Sequence, residues 1–255
     1  MDPLSVAMNA AKKAGAITLR YFETGVVREV KADKSFVTAA DKEAEAAIMQ
    51  EIQKHFPDHG FLCEESGETK SRTEYQWVID PLDGTSNFVN GIPLFAVSIA
   101  LLKKGQPVVG VVYQPVGDAL YAAERGKGTT WRGKKTHVSD GEATDALITF
   151  GPGKKEKDLL NRLFVLSEQF VKSKRYLGSC ALELAYVARG GTEGFVCLGL
   201  NKWDYAAGAL LVEEAEGTIT DFEGKPWKFG AGDHFIASNG RVHDALTKLV
   251  AAARA

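Results

Sequence analysis

The chain has 255 residues, 31 Lys plus Arg against 33 Asp plus Glu, a formal net charge of -2 and 45% hydrophobic residues. At roughly 150 residues per domain that is one large or two small domains with ample apolar mass for a core, which excludes a disordered, collagen-like or disulfide-framework chain. The near-neutral balance lacks the basic excess that neutralises phosphates, so direct nucleic-acid binding is not expected.

In chain order, Met1-Asp2-Pro3 carries neither the basic start nor the apolar run of a signal peptide, and no stretch reaches the roughly 18 apolar residues of a membrane span. A cytoplasmic protein without membrane contact is expected. Residues 4–23 place Leu4, Met8, Ala11, Ala14, Ile17 and Phe22 near one face, the pattern of an amphipathic helix. A second helix follows Thr38-Ala39-Ala40-Asp41, a capping-box sequence, with Ala44, Ile48 and Ile52 on its inner face and Pro57 ending it. Short apolar runs at 61–63 and 77–79 read as buried strands, each followed directly by acid. Runs at 95–102 and 108–113 flank a hairpin-like Lys103-Lys104-Gly105-Gln106-Pro107, with another strand at 119–123, so this sheet is expected to be antiparallel.

Beyond the Gly- and Lys-rich stretch 125–135 the pattern predicts a strand at 146–150 and helices at 159–171 and 180–188, the latter ended by Gly190-Gly191. A strand at 195–197, a helix from Asp204 closed by Gly217, strands at 218–221 and 234–237, and a helix after Asn239 complete the chain. These elements suggest two mixed lobes, 1–140 and 141–255, in one compact unit. Cys63, Cys180 and Cys197, like the five histidines, lack metal-ligand spacing, so neither a zinc centre, a disulfide framework nor a histidine triad is suggested.

The acids carry the chemistry. In Trp77-Val78-Ile79-Asp80-Pro81-Leu82-Asp83-Gly84-Thr85-Ser86, a buried strand ends in one carboxylate, Pro81 redirects the chain, and a second carboxylate follows at a glycine turn. Gly84, Thr85 and Ser86 then offer small side chains and unobstructed N–H groups, suited to an anion such as phosphate. The plain alternative is an Asp-Gly turn. Cys63-Glu64-Glu65 ends another strand, where alternation lets one acid face inward, and Glu64 is the choice. Asp204 opens an apolar helix, which a dipole-facing acid would also explain. If Glu64, Asp80, Asp83 and Asp204 cluster, they repel unless protonated or metal-bound. Oxygen donors suit Mg²⁺, whose shell phosphate oxygens complete, and a total of about -6 for four carboxylates and a phosphate monoester calls for two or three divalent ions.

With those motifs in view, the sequence resembles the inositol monophosphatase family of Mg²⁺-dependent, lithium-sensitive phosphomonoesterases. The resemblance spans Val37-Thr38-Ala39-Ala40-Asp41, Glu64-Glu65-Ser66, Asp80-Pro81-Leu82-Asp83-Gly84-Thr85, Gly178-Ser179-Cys180-Ala181 and Trp203-Asp204-Tyr205-Ala206-Ala207-Gly208. It implies a mixed α/β fold, a layered αβαβα sandwich, commonly a homodimer, with the active site between the lobes. It implies metal ligation by Glu64, Asp80, the Leu82 carbonyl, Asp83 and Asp204, and phosphate held by Gly84, Thr85 and Ser86. Thr85 and Asp41 would orient and deprotonate the attacking water, and Asp83, Gly178, Ser179, Cys180 and Asp204 would meet the substrate. That substrate is a small phosphorylated polyol or sugar, with inositol 1-phosphate as first expectation. Relatives of this family also take fructose 1,6-bisphosphate, histidinol phosphate or nucleotide 3′-phosphates, and some bacterial members resemble transcription-associated proteins.

Departures from the family pattern bear on specificity. Inositol-preferring members carry a glutamate seven residues before the acid aligned with Asp204, where this chain has Cys197; a core role for that thiol competes with a substrate role. Cys63 stands where relatives have Gly. The resemblance also suggests a loop near Lys31 and Lys34 reaching the acids, but Ser35-Phe36 replaces the usual Asp-Leu there and Lys31 is given no role.

Overall fold

A computed structural model describes residues 1–24, 28–30, 36–153 and 156–255. Lys31, Lys34 and Ser35 therefore lie outside the described residues.

The chain opens with α1 (Pro3–Thr24), the short strands β1 (Arg28–Val30) and β2 (Phe36–Thr38), and α2 (Ala39–His55). An eight-stranded sheet follows from β3 (Gly60–Cys63), β4 (Gly67–Thr69), β5 (Tyr75–Asp83), β6 (Ala96–Lys103), β7 (Gln106–Gln114), β8 (Ala119–Glu124), β9 (Gly128–Trp131) and β10 (Lys134–Thr136), interrupted by the one-turn helix α3 (Thr85–Val89). Its order is β10-β9-β8-β7-β6-β5-β3-β4, antiparallel except for the β3–β5 pair. The second half contributes β11 (Leu147–Pro152), α4 (Lys157–Leu166), β12 (Ser173–Arg175), α5 (Cys180–Ala188), β13 (Gly194–Leu198), α6 (Lys202–Glu214), β14 (Thr218–Thr220), β15 (His234–Ser238) and α7 (His243–Arg254). Its five strands lie in the order β12-β11-β13-β15-β14, with β12, β11 and β13 mutually parallel and β15 antiparallel to both neighbours.

Strand alternation sorts side chains into layers. Trp77 and Ile79 face α1 and α2 with Ala7, Ala11, Ala44 and Ile48, whereas Val78 faces the opposite side, where α5 and α6 lie. Phe195 and Cys197 join that central core from the second sheet, while Val196 and Leu198 pack with α4 and α7 on the far side. The result is α1/α2, sheet, α5/α6, sheet, α4/α7, the αβαβα sandwich that the family resemblance implied.

Four differences from the sequence reading have local causes. The strand read at 77–79 runs from 75 to 83, straight through Pro81. Asp80 pairs with Ser98 and Asp83 with Ala96, so three residues on β5 span two on β6, a β-bulge. On the other edge β3 pairs only as far as Ile79, so the missing Pro81 N–H breaks no ladder bond. The helix read at 159–171 stops at Leu166 and continues as a 3₁₀ turn over Ser167–Gln169. The segment 125–135 holds β9 and β10, whose lysine-bearing edge reads as loop by composition. The last helix starts at His243, four residues beyond Asn239, whose side chain instead accepts the Val242 N–H at 3.1 Å.

Candidate active site

The bulge on β5 decides the first two acids. Asp80 is buried on the α5/α6 side of the sheet and turns one oxygen onto the Leu82 N–H at 2.9 Å. Asp83, one residue out of register, reaches the second half of the chain: its Oδ2 accepts the Ser179 hydroxyl at 2.5 Å and the Ala181 N–H at 2.8 Å. Those donors sit at the start of α5, where Ser179 is the N-cap, so the strand end and the helix end are tied through one carboxylate oxygen. Gly84 lies in the left-handed region at φ 91°, and a Cβ there would sit 2.8 Å from the Leu94 oxygen and 3.2 Å from Ser179 Cβ. Only glycine meets both demands. Thr85 then opens α3 and donates its hydroxyl to the Leu82 carbonyl at 3.0 Å.

Asp41 is wholly buried at the third position of α2. Its Oδ2 takes the Thr38 N–H at 2.8 Å and the Thr38 hydroxyl at 2.7 Å, while its Oδ1 is buried without a hydrogen-bond partner among the described residues. Burial lifts its carboxyl to about 6 against the pull of the two Thr38 bonds, and the charges of Glu65 and Glu64 push the same way. Asp204 repeats the arrangement in α6, accepting the Asn201 N–H at 2.7 Å. The capping account of both acids holds.

Glu64 follows Cys63 at the end of β3, and its N–H bonds the Ile79 carbonyl at 3.2 Å, directly before Asp80. Cys63 itself points into the α1/α2 core, its thiol pushed up to about 12 by burial, so alternation sends Glu64 to the face of Asp80. Ligand oxygens of Asp80, Asp83 and Asp204 all lie within 4.8 Å of one another. Burial raises the Asp80 carboxyl well above the usual range, and the neighbouring charges of Glu64, Asp83 and Asp204 raise it further. Asp83 is pushed up to about 6, again by burial first. With Asp80 and Asp83 buried and Glu64 and Asp204 half-buried beside them, these like charges are stable only when neutralised, and an all-oxygen donor set fits a hard divalent cation.

The remaining residues named from the sequence fall around this group. Gly178, Ser179 and Cys180 form the entry to α5; the Ser179 hydroxyl is engaged by Asp83, and Cys180 is buried in the central core. Cys197 is also fully buried there, and its thiol lies 3.2 Å from the Asp233 carbonyl. Three further residues were not singled out by sequence. Asn87 donates to both Leu94 O and Leu177 O at 2.7 Å. Glu183, fully buried and raised well above the carboxylate range by burial, accepts the Leu177 N–H at 2.8 Å. Glu45 accepts from the turn that carries Glu64. Asn87 and Glu45 act on backbone groups distant in sequence, Leu177 and the 65–66 turn, whereas Glu183 reaches back only six residues to Leu177.

A family model described as the inositol monophosphatase family matches residues 2–255. Nus factor SuhB of Escherichia coli K12 is 41% identical over 250 residues, covering 95% of this chain and 93% of that protein. An inositol-1-monophosphatase of Mesorhizobium japonicum is 41% identical over 258 residues, covering 97% and 95%. Among solved structures, a Thermotoga maritima IMPase superposes with a TM-score of 0.92 at 34% identity, over 100% of this chain and 98% of that one. The chain therefore belongs to the inositol monophosphatase family.

Proposed function

We propose that the protein is a Mg²⁺-dependent phosphatase that hydrolyses a small phosphorylated polyol or sugar, with inositol 1-phosphate the first substrate to test. The observation that carries this reading is the convergence of Asp80, Asp83 and Asp204, with Glu64 acting on the same group. In this reading Glu64, Asp80, the Leu82 carbonyl, Asp83 and Asp204 hold two or three Mg²⁺ ions. Bound there, Mg²⁺ would neutralise the carboxylates and phosphate oxygens and acidify a water molecule.

The protein's own groups supply the rest. The first-turn N–H groups at Gly84, Thr85 and Ser86 have no acceptor within their helix and hold phosphate oxygens. Asp41 Oδ1, unpartnered among the described residues, takes the proton of the attacking water, and Thr85 Oγ1, its own proton given to Leu82 O, orients that water through a lone pair. Asp83, Asp204 and the Gly178–Cys180 backbone line the substrate side. Cys197, enclosed by core, offers no sugar contact, so polyol selectivity is expected to be broad.

Asp83→Asn is expected to abolish Mg²⁺-dependent phosphate release, because it weakens both the cluster and the tie to Ser179; wild-type turnover in that variant would overturn the assignment. A panel of inositol 1-phosphate, fructose 1,6-bisphosphate, histidinol phosphate and adenosine 3′,5′-bisphosphate then ranks substrates by released phosphate. A second, additional role in association with transcription proteins is favoured by the name Nus factor carried by relatives at 41% identity. A pull-down from lysate that recovers only the chain itself would count against it.

A further inference from the structure

We infer that Glu45 is a positioning residue for Glu64, setting the affinity of the metal site from the neighbouring helix without touching the metal. The inference rests on the proposal that Glu64 is a ligand. Strands β3 and β4 pair antiparallel with Cys63 opposite Gly67, so Glu64, Glu65 and Ser66 form a three-residue turn. Gly67 at φ 77° supplies the left-handed residue that such a turn requires. A turn this tight leaves N–H groups beyond the ladder, and those turned toward the protein are satisfied by acceptors outside the turn. Glu64 N finds Ile79 O on β5; Glu65 N and Ser66 N find Glu45, which accepts them one on each carboxylate oxygen, both at 2.9 Å.

Glu45 is 4% exposed and lies one turn along α2 from Asp41. Its helix is anchored by Ala44, Ile48 and Ile52 in the core under the sheet, so its carboxylate is a fixed point rather than a mobile chain. The turn is thereby clamped from two sides: Glu64 by the strand that leads into Asp80, and the next two residues by the helix that carries Asp41. A negatively charged acceptor on two amides makes charge-assisted bonds, stronger than neutral ones. A glutamine cannot replace it: the amide keeps one acceptor but turns its NH₂ on the other N–H, leaving two donors face to face. The clamp therefore determines where Glu64 stands before any metal arrives, and partners that orient metal ligands typically govern affinity by 10- to 100-fold.

The test is a comparison of wild type, Glu45→Gln and Glu51→Gln. Glu51 lies in the same helix and pairs with Lys13 at 2.6 Å, remote from the turn, so it reports any general weakening of α2. Isothermal titration with Mg²⁺ is expected to show about tenfold weaker binding in Glu45→Gln and unchanged binding in Glu51→Gln. At saturating Mg²⁺ the kcat of Glu45→Gln recovers to within about twofold of wild type, and hydrogen exchange speeds up at the Glu65 and Ser66 amides. Equal Mg²⁺ affinity in Glu45→Gln and wild type, or the same loss in both variants, overturns the inference. Should Glu45→Gln not fold, exchange in the metal-free wild type decides: amides at 65 and 66 already protected support a preset turn, and protection acquired only with Mg²⁺ refutes it. A wild type that binds no Mg²⁺ sinks the metal-site reading instead, while the exchange measurement still judges the clamp.

Discussion

Asp41 and Asp204 occupy the same position in two helices far apart in sequence, the third residue, and each accepts the backbone N–H of its cap residue through Oδ2. One carboxylate oxygen thus completes the helix start in each case, so a capping pattern by itself does not exclude a functional role for either acid. Thr38 links the two roles, since its hydroxyl both accepts the Ala40 N–H and donates to Asp41. Thr38→Val is expected to cost about 1 kcal/mol of stability through the lost cap, measured by denaturant unfolding. It also removes a bond that favours the charged form of Asp41, so the acid limb of kcat/KM should move to higher pH. An unmoved limb would show that Asp41 is not the base. Cys197 makes the opposite point: a position that the resemblance marked for substrate lies sealed in the core.

At the scale of elements, β5, α3 and α5 form one joint. The bulge after Asp80 re-aims Asp83 toward the start of α5, and Gly84 allows strand and helix to approach within contact of Ser179. Asn87 and Glu183 hold the two peptide groups that flank Leu177, one by its carbonyl and one by its N–H, so the entry to α5 is fixed before Ser179 is reached. Gly84→Ala is expected to cost about 1–2 kcal/mol for the left-handed backbone alone, with further loss from overlap with the Leu94 carbonyl. Thermal unfolding should register that cost, and phosphate release should fall more than stability does, because the same shift separates Asp83 from α5. Activity preserved in a destabilised Gly84→Ala would mean that the joint does not organise catalysis. Much of this joint was legible as the run from Asp80 to Ser86. The bulge was not, because Pro81 reads locally as a strand terminator and only the absence of a β3 partner beyond Ile79 lets the strand continue.

For the whole molecule, five layers bring acids from β3, β5 and α6 to one place at the price of confining like charges. Asp41 and Asp83 stand at about 6 when folded, above the roughly 3.9 of an unfolded aspartate. Each therefore contributes stability that is present below about pH 4 and is lost as pH rises through about 6. His243 works the other way: held between the Thr220 and Ser238 hydroxyls, it is lowered by burial, and its contribution is lost as pH falls below about 6.5. Because His243 lies outside the acid cluster, its effect cancels when samples with Mg²⁺ and with chelator are compared at one pH. The gain in Tm from Mg²⁺ is expected to be larger at about pH 7.5 than at about pH 5, since the ion binds the ionised native site. A gain independent of pH would show that these carboxylates do not receive the metal.

Periodicity alone placed most helices and central strands, and the order of the motifs carried the family, because both are encoded by neighbours a few residues apart. The acids that the structure groups, Asp80, Asp83 and Asp204, were likewise singled out by sequence. What tertiary structure decided was which groups act on one another: the tie of Asp83 to Ser179 across 96 positions, the burial of Cys197, and the grip of Glu45 on a turn 20 residues away. Such relations depend on how layers stack and where a backbone N–H is left without a partner, and the identity of a residue does not reveal either.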